Sequence, residues 1–202
     1  MLKLVTTAPD IPLLDERRHL VVAAEHALNA PVLPLDAVTA RGPGAYLLLY
    51  CGPLDIYTSI AYRGEGGSIV RDGGFPIYAG SAASLRERRQ RHQRNLRGLR
   101  DVNEDDLRIV VAPTPSKAGA VYLEQLFIDA FRPVWNEPWL AGFGSKRQGR
   151  TRERGQRVSA WNLLHPGRYV DVLAPRSAVT NEQLAERVRG YLTNDLLRSS
   201  AP

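Results

Sequence analysis

The chain has 202 residues, of which 44% are hydrophobic and 24% charged, as in ordinary soluble globular proteins with a core of their own. Lys and Arg outnumber Asp and Glu by 27 to 21, and this basic balance favours an anionic partner without establishing one. A single cysteine excludes an internal disulfide framework and a cysteine-rich zinc site. No apolar run approaches the roughly 20 residues of a membrane span, and no signal peptide is evident, which predicts a cytoplasmic protein.

The first part of the chain is predicted to contain one helix and two strands. Residues 13–29 place apolar side chains at helical spacing ahead of Pro31. An apolar and aromatic run at residues 45–50 has the length of a strand, and residues 56–62 are a second strand candidate. Glycine clusters at 64–67 and 73–74 then indicate turns.

The rest of the chain mixes strands and helices. The predicted elements are, in order, a strand at 76–80, a helix at 81–99, a strand at 107–112, a helix at 117–131, a loop rich in Gly and Arg at 136–155, a strand at 168–173 and a helix from Thr180 to about residue 197. Pro133 should stop the fourth of these, and Thr180 and Gln183 have the spacing of a capping box. This order predicts an α+β fold with helices packed on a small mixed or antiparallel sheet.

Glu124 is a carboxylate at the buried face of the predicted helix 117–131. Its helix neighbours at i−4, i+3, i+4 and i+7 are all apolar: Ala120, Phe127, Ile128 and Phe131. Because an unpaired charge in such surroundings costs several kcal/mol, Glu124 requires a partner. A metal ion and a buried salt bridge to an arginine are the two alternatives.

The predicted helix 81–99 is strongly basic. Together with the residue after it, it contains one acid and seven arginines: Arg86, Arg88, Arg89, Arg91, Arg94, Arg97 and Arg100. Like charges at this density repel one another, which an anion such as phosphate would offset. Arg88 and His92 are one helical turn apart and share a face. His92 also lies in line with Leu85 and Leu96, so a core histidine is an alternative reading of it.

Two tyrosines of predicted strands complete an ordered set of residues. Gly44-Ala45-Tyr46, Tyr78-Ala79-Gly80, Arg88-x-x-x-His92, Glu124 and Asn136 resemble the GIY-YIG nuclease superfamily in order and spacing. Both central isoleucines of the family name are alanine here, and the gap between the tyrosines implies an insertion. Further on, the similarity narrows to the type II restriction endonucleases that cut CCGCGG, through Phe131-Arg132-Pro133-Val134-Trp135-Asn136, Gly142-Phe143-Gly144, Ser159-Ala160-Trp161 and His165-Pro166-Gly167-Arg168.

The resemblance covers about residues 44–170 and implies a small mixed or antiparallel three-stranded sheet flanked by helices. The N-terminal helix and the C-terminal tail match nothing in the family and are expected to be extensions. Residues 1–43 would be an N-terminal helical extension and a candidate dimer contact. Residues 44–136 would be the nuclease core, and residues 137–202 a DNA-recognition loop with a C-terminal strand and helix. The three parts are expected to form one integrated domain.

The resemblance also implies the way in which the phosphate is held. Glu124 would bind one Mg²⁺ per active site, for which Mn²⁺ can substitute. Arg88 would neutralise charge on the phosphoryl oxygens, and Asn136 would hold the arrangement in place.

The remaining three residues would handle the proton and the water. Tyr46 would lie near the attacking water as a base or orienting group, and His92 would receive or relay its proton. Tyr78 would position the phosphate or the water. A phenol is a poor base unless neighbouring cations lower its pKa, and Arg88 with the metal would have to do so.

A basic, glycine-punctuated stretch at residues 145–157 fits a DNA groove or backbone, with a flexible basic loop as the alternative. The predicted DNA contacts are Arg89, Lys146, Arg147, Arg150, Arg152, Arg154 and Arg168. Cutting both strands of a palindromic site in double-stranded DNA predicts a homodimer, and a separate methyltransferase would be its cognate partner. The rival interpretations are a structure-specific repair nuclease of the same superfamily and a non-catalytic DNA-binding protein with this fold.

Overall fold

The computed structural model describes residues 29–57, 74–137, 140, 159–167 and 179–199. In this part of the chain a four-stranded antiparallel sheet has the order β1-β4-β2-β3. Its strands are β1 (Leu33–Pro34), β2 (Gly44–Tyr50), β3 (Phe75–Ala82) and β4 (Leu107–Pro113). The helices are α1 (Leu85–Leu96), α2 (Lys117–Phe131), α3 (Ala160–Leu164) and α4 (Asn181–Ser199).

The α+β fold is therefore confirmed, while the expected number of three strands is wrong by one. The additional strand, β1, consists of two residues that pair with Ile109 and Arg108 of β4. So short a strand shows no alternation of its own and forms only because β4 offers an edge to it.

The central strand β2 is buried along its whole length because both faces of the sheet are covered. Tyr46, Leu48 and Tyr50 belong to a core that also contains residues of α1, α3 and α4. The alternate residues of the strand pack in a second core against α2, where Leu123 and Phe127 meet them. Burial on two faces explains why this segment appears in the sequence as a continuous apolar run.

Helix α1 begins later than its sequence predicts. Ser81 and Ala82 extend β3, since Ala82 pairs with Gly44 of β2. The helix starts only at Leu85, after the Ser84 hydroxyl accepts a hydrogen bond from the Glu87 amide at 3.3 Å. The predicted helix over 81–99 is thus wrong at both ends, since it starts at Leu85 and stops at Leu96. The error at its start assigned Ser81 to a helix when it belongs to β3.

Three other elements confirm their predictions. Helix α2 spans Lys117–Phe131, with Ser116 as its N-cap and Pro133 after its end. Strand β4 runs to Pro113, one residue beyond the predicted end. Helix α4 begins after Thr180, whose amide donates to the Gln183 side chain at 3.1 Å while its hydroxyl accepts from the Gln183 amide at 3.2 Å.

The second strand candidate, over 56–62, is wrong where the structure describes it, because residues 55–57 form a 3-10 turn. The remainder of that segment lies outside the described residues, as do the predicted helix from residue 13 to residue 28, the glycine cluster at 64–67, nearly all of the loop beyond residue 137 and the late strand at 168–173. Within the described ranges, none of the helices combines the length and the apolarity that crossing a membrane requires.

A buried polar network fixes the turn at His165. One ring nitrogen of His165 lies 2.7 Å from the Tyr57 hydroxyl, and the other lies 3.0 Å from the Asp101 carboxylate. The indole of Trp135 donates to the same Tyr57 hydroxyl at 2.9 Å. The Arg100 amide donates to Pro166 O at 3.0 Å. The network therefore joins this turn to the segment that follows α1. Helix α1 itself carries two of the candidate active-site residues, Arg88 and His92.

Candidate active site

The two tyrosines of the predicted motif lie side by side on β2 and β3. Tyr46 is opposite Gly80 in the register, and its ring centroid is 6.1 Å from that of Tyr78. Gly80 lies directly against the Tyr46 ring, and a Cβ atom there would overlap the phenol and come within 2.9 Å of Tyr78 Cε1. The glycine after Tyr78 is therefore required by the close approach of the two strands' side chains.

His92 of α1 joins the two phenols. Its Nε2 is 2.9 Å from the Tyr46 hydroxyl, and the two rings meet edge to face. His92 is 3% exposed, so it is both a core residue and a bonded partner of Tyr46. The prediction that Leu85 and Leu96 share its face is confirmed, since both are buried.

Arg88 and Glu124 approach the same strand end through Ser81. The Arg88 guanidinium donates to Ser81 O at 3.3 Å, and the Ser81 hydroxyl donates to a carboxylate oxygen of Glu124. Among the described residues Glu124 has no ion pair with an arginine, so this alternative to a metal receives no support there. Asp129, on the other side of α2, is exposed as expected.

Two residues at this site were missed by sequence analysis. The Lys117 ammonium donates to the Ser81 hydroxyl at 2.8 Å, so Lys117, Ser81 and Glu124 form a chain of hydrogen bonds. Side chains alternate between the two faces of a strand, so Ser81 lies on the face opposite Tyr78 and toward α2. This alternation would have placed Ser81 at the site if the predicted strand had been extended to include it. Lys117 is two helical turns before Glu124 and shares its side of α2.

The pKa values of both phenols are raised. Burial is the main cause at Tyr46, whose pKa lies well above its ordinary value; Tyr78 and Glu124 raise it further, and Arg88 lowers it. For Tyr78, burial and then Glu124 raise the pKa against the effect of Arg88. The expected influence of Arg88 is thus present, but among the protein's own groups burial outweighs it, and both phenols stay protonated at neutral pH. The charges of Arg88 and Glu124 reach both tyrosines, as a common site requires.

Asn136 holds the outer side of β3. Its side-chain oxygen accepts from the Ala79 amide at 2.7 Å, and its side-chain nitrogen donates to the Ala79 carbonyl at 2.9 Å. Among the described strands β3 lies at the edge of the sheet, so these two backbone groups point away from β2 and need another partner. Asn136 supplies it and so acts on the strand that carries Tyr78, in keeping with the supporting role expected of it.

The predicted DNA contacts have different positions. Arg89 is half-buried and donates to the carbonyls of Asp36 and Val38 at 2.8 and 3.2 Å, which ties that segment to α1. Its contact with DNA stays a prediction. The other predicted contacts lie outside the described residues: Lys146, Arg147, Arg150, Arg152, Arg154 and Arg168. On and just after α1, Arg86, Arg91, Arg94, Arg97 and Arg100 are exposed.

The donor chemistry at Glu124 fits a magnesium ion. Mg²⁺ in phosphate-processing sites takes one or two carboxylates and completes its shell with water and phosphate oxygens. Glu124 is partly exposed and provides one carboxylate beside the Ser81 hydroxyl. Within the described ranges no cluster of three or more His, Cys, Asp or Glu residues occurs, so among these residues Glu124 would be a lone carboxylate ligand, which is a number that Mg²⁺ accepts in such sites.

Comparison with known families agrees with this geometry. A family model described as the Eco29kI GIY-YIG domain matches residues 68–192, which is more than half of the chain. The chain belongs to this family of GIY-YIG nucleases. The family comprises type II restriction endonucleases that recognise CCGCGG, so the resemblance inferred from the motifs is confirmed. No curated protein matches the chain in a sequence search.

The matched segment covers every residue of the candidate site except those of β2. Tyr46 lies before it and is connected to it by the pairing of β2 with β3. The segment that matches the Eco29kI-type domain thus contains Tyr78, Arg88 and Glu124, and strand pairing places Tyr46 beside them.

Proposed function

We propose that the chain is a type II restriction endonuclease that hydrolyses phosphodiester bonds of double-stranded DNA with the help of Mg²⁺. Its target would be a short GC-rich palindrome such as CCGCGG. One observation above all supports this function: two phenols, an imidazole, a guanidinium and a carboxylate from β2, β3, α1 and α2 surround one end of β3. Membership of the Eco29kI family adds the substrate class.

Arg88 would neutralise the scissile phosphate. Its guanidinium has five donor hydrogens, and the described residues engage it only through Ser81 O. It can therefore turn further donors toward phosphoryl oxygens, where charge develops during attack. Glu124 would hold Mg²⁺ beside the same phosphate, and the ion, when bound, would withdraw electron density from the phosphoryl oxygens.

The proton of the attacking water would leave through Tyr46 and His92. Because burial disfavours a free phenolate, Tyr46 would accept this proton only as it passes its own to His92, 2.9 Å away. Tyr78 is partly exposed, whereas Tyr46 is buried, so Tyr78 is the phenol that the substrate meets first. It would orient the water or the phosphate by hydrogen bonding.

The assignment of Tyr46 as the proton-accepting group has a direct test. Tyr46→Phe keeps the buried ring and removes the hydroxyl, so single-turnover cleavage should fall by about two to four orders of magnitude, as for loss of a general base. A Tyr46→Phe protein that retains most of its turnover would assign this step to another group. Thermal unfolding of the same variant checks that the core is intact.

We further propose that the enzyme acts as a homodimer on DNA in the cytoplasm. A two-fold axis would place one active site on each strand of a palindrome. The basic stretch at 145–157 would read the bases, and a separate methyltransferase would protect the host site. Residues 1–43 remain the proposed N-terminal extension and residues 44–136 the proposed nuclease core. Residues 137–202 remain the proposed recognition loop followed by a C-terminal strand and helix extension.

The proposal is tested by digesting unmethylated plasmid DNA with Mg²⁺ and sequencing the ends. A fixed set of fragments whose ends share one short palindrome is expected, and Glu124→Ala should abolish cleavage while DNA binding persists. Nicking at junctions or damaged sites in place of a fixed sequence would favour a repair nuclease. Binding that persists in EDTA without cleavage on addition of Mg²⁺ would favour a non-catalytic DNA-binding protein.

A further inference from the structure

We propose that Lys117 is an additional phosphate-binding residue of the cleavage site, held next to Glu124 by Ser81. The inference rests on the proposed function in taking duplex DNA as the ligand. It concerns a residue that neither the sequence motif nor the roles described above include.

The hydrogen bonds around Ser81 carry the argument. The Ser81 hydroxyl accepts from Lys117 Nζ at 2.8 Å and donates to Glu124, while the Ser81 carbonyl accepts from Arg88. One serine thus gathers an ammonium, a guanidinium and a carboxylate at the end of β3. Ser81 is 8% exposed and so fixes the position of the group to which Lys117 is bonded.

The charge of this cluster suits a phosphodiester. Arg88 and Lys117 contribute two positive charges and Glu124 one negative, which leaves one positive charge to oppose the single negative charge of a backbone phosphate. Lys117 is exposed, so DNA can reach its ammonium. Ser81 takes one of the three donor hydrogens of that ammonium, and within the described residues no second partner engages it.

Helix stability gives no reason for a lysine at this position. Lys117 is the first residue of α2, and a positive charge is disfavoured at a helix N-terminus. The Ser116 hydroxyl already caps the helix by accepting from the Gly119 amide at 3.0 Å. No acidic residue of the first turn compensates the lysine. Its placement therefore costs the helix stability, which an anionic ligand would offset.

The test is a measurement of duplex binding as a function of salt in EDTA, where no cleavage occurs. Fluorescence anisotropy of a labelled CCGCGG duplex would give the binding constant over a range of KCl concentrations. For Lys117→Met the slope of log K against log salt should be smaller than the wild-type slope by about one, and binding at about 0.15 M salt should be roughly fivefold weaker. With Mg²⁺, single-turnover cleavage should fall by about one order of magnitude or more.

Three control variants separate a phosphate contact from other effects. Lys117→Arg keeps the charge and should keep the wild-type slope. Ser81→Ala removes the group that holds the ammonium but not the charge, so its slope should lie between those of the wild type and Lys117→Met. Arg187→Met removes an exposed charge from α4, on the other side of the sheet from α2, and should leave both slope and cleavage unchanged.

The outcomes also separate this inference from the proposed function. A slope unchanged in Lys117→Met, or lowered equally in Arg187→Met, overturns the role of Lys117 even if the wild type cleaves DNA. A lowered slope in Lys117→Met together with a wild type that never cleaves supports the phosphate contact and refutes the nuclease activity. Absence of any duplex binding by the wild type overturns both.

Discussion

Removal of the Asn136 side chain should weaken both the fold and the site, because this amide completes the edge of β3. Asn136→Ala loses two hydrogen bonds, at 2.7 and 2.9 Å, and leaves the amide and carbonyl of buried Ala79 without them. At about 1 kcal/mol net for each bond, and more where a buried group stays unpaired, the loss is about 2 to 4 kcal/mol. For a protein of this size that corresponds to a fall in melting temperature of about 4 to 16 °C.

Asn136→Asp is the matched control. At neutral pH the introduced carboxylate can still accept from the Ala79 amide, but it faces the Ala79 carbonyl without a hydrogen to donate. Because only the protonated carboxyl restores the second bond, folding raises the pKa of that group. The stability that this bond supplies is then present at low pH and lost as pH rises through the raised pKa.

Urea unfolding of the two variants and the wild type between about pH 5 and about pH 7.5 would measure this. The deficit of Asn136→Asp should shrink in acid, while the deficit of Asn136→Ala should stay constant. Single-turnover cleavage well below the melting temperature should be impaired in both variants, since β3 carries Tyr78. The reasoning is refuted if Asn136→Ala unfolds within about 0.5 kcal/mol of the wild type.

Three further predictions concern the buried rings. Gly80→Ala should displace the Tyr46 phenol, because the new Cβ overlaps it. Cleavage should fall by about two orders of magnitude or more, while duplex binding in EDTA stays within about twofold. Normal cleavage would show that the ring is free to move. His165→Phe removes the imidazole bonded to Tyr57 and should destabilise the protein by about 2 to 4 kcal/mol in urea unfolding; a variant as stable as the wild type would contradict this. Burial raises the pKa of Tyr50 to about 12 and that of Tyr57 well above its ordinary value, so the free energy of unfolding should fall as pH rises above about 10. Phenolate absorbance and circular dichroism should change together in a pH titration. Full ionisation of the tyrosines in a protein that stays folded would contradict this.

Local signals in the sequence were sufficient for α2 and for Glu124. The apolar residues at helical spacing lie within this helix, and the proline that ends it follows close after its last residue, so both signals are local in the sequence. The position of Glu124 on the helix follows from its bounds. The same holds for the start of α4, where Thr180 and Gln183 bond to each other.

The end of β3 could not be found in this way, because a distant pairing determines it. Alanine is the strongest helix former, so the local preference at Ala82 favours a helix, whereas pairing of Ser81 with Ala45 and of Ala82 with Gly44 holds both residues in the sheet. Because the sequence assigned Ser81 to a helix, it predicted neither the hydrogen bond of Ser81 with Glu124 nor the one with Lys117.

The depth at which each ring is buried was also beyond the sequence. The family resemblance implied that Arg88 lies near Tyr46, and the arginine does lower the pKa of this phenol. Covering of the sheet by α1, α3 and α4 has the larger and opposite effect. Likewise, Tyr57 leaves its predicted strand because His165 and Trp135, distant in the chain, bind its hydroxyl.

Both margins of the sheet resist continuation by another polypeptide. On one side β1 has only two residues, and Pro34 lacks an amide hydrogen to offer a neighbouring strand. On the other side the Asn136 amide already occupies the outward groups of Ala79. A second copy, as proposed for cutting the opposite DNA strand, would therefore have to join through helices or loops rather than through the described strands.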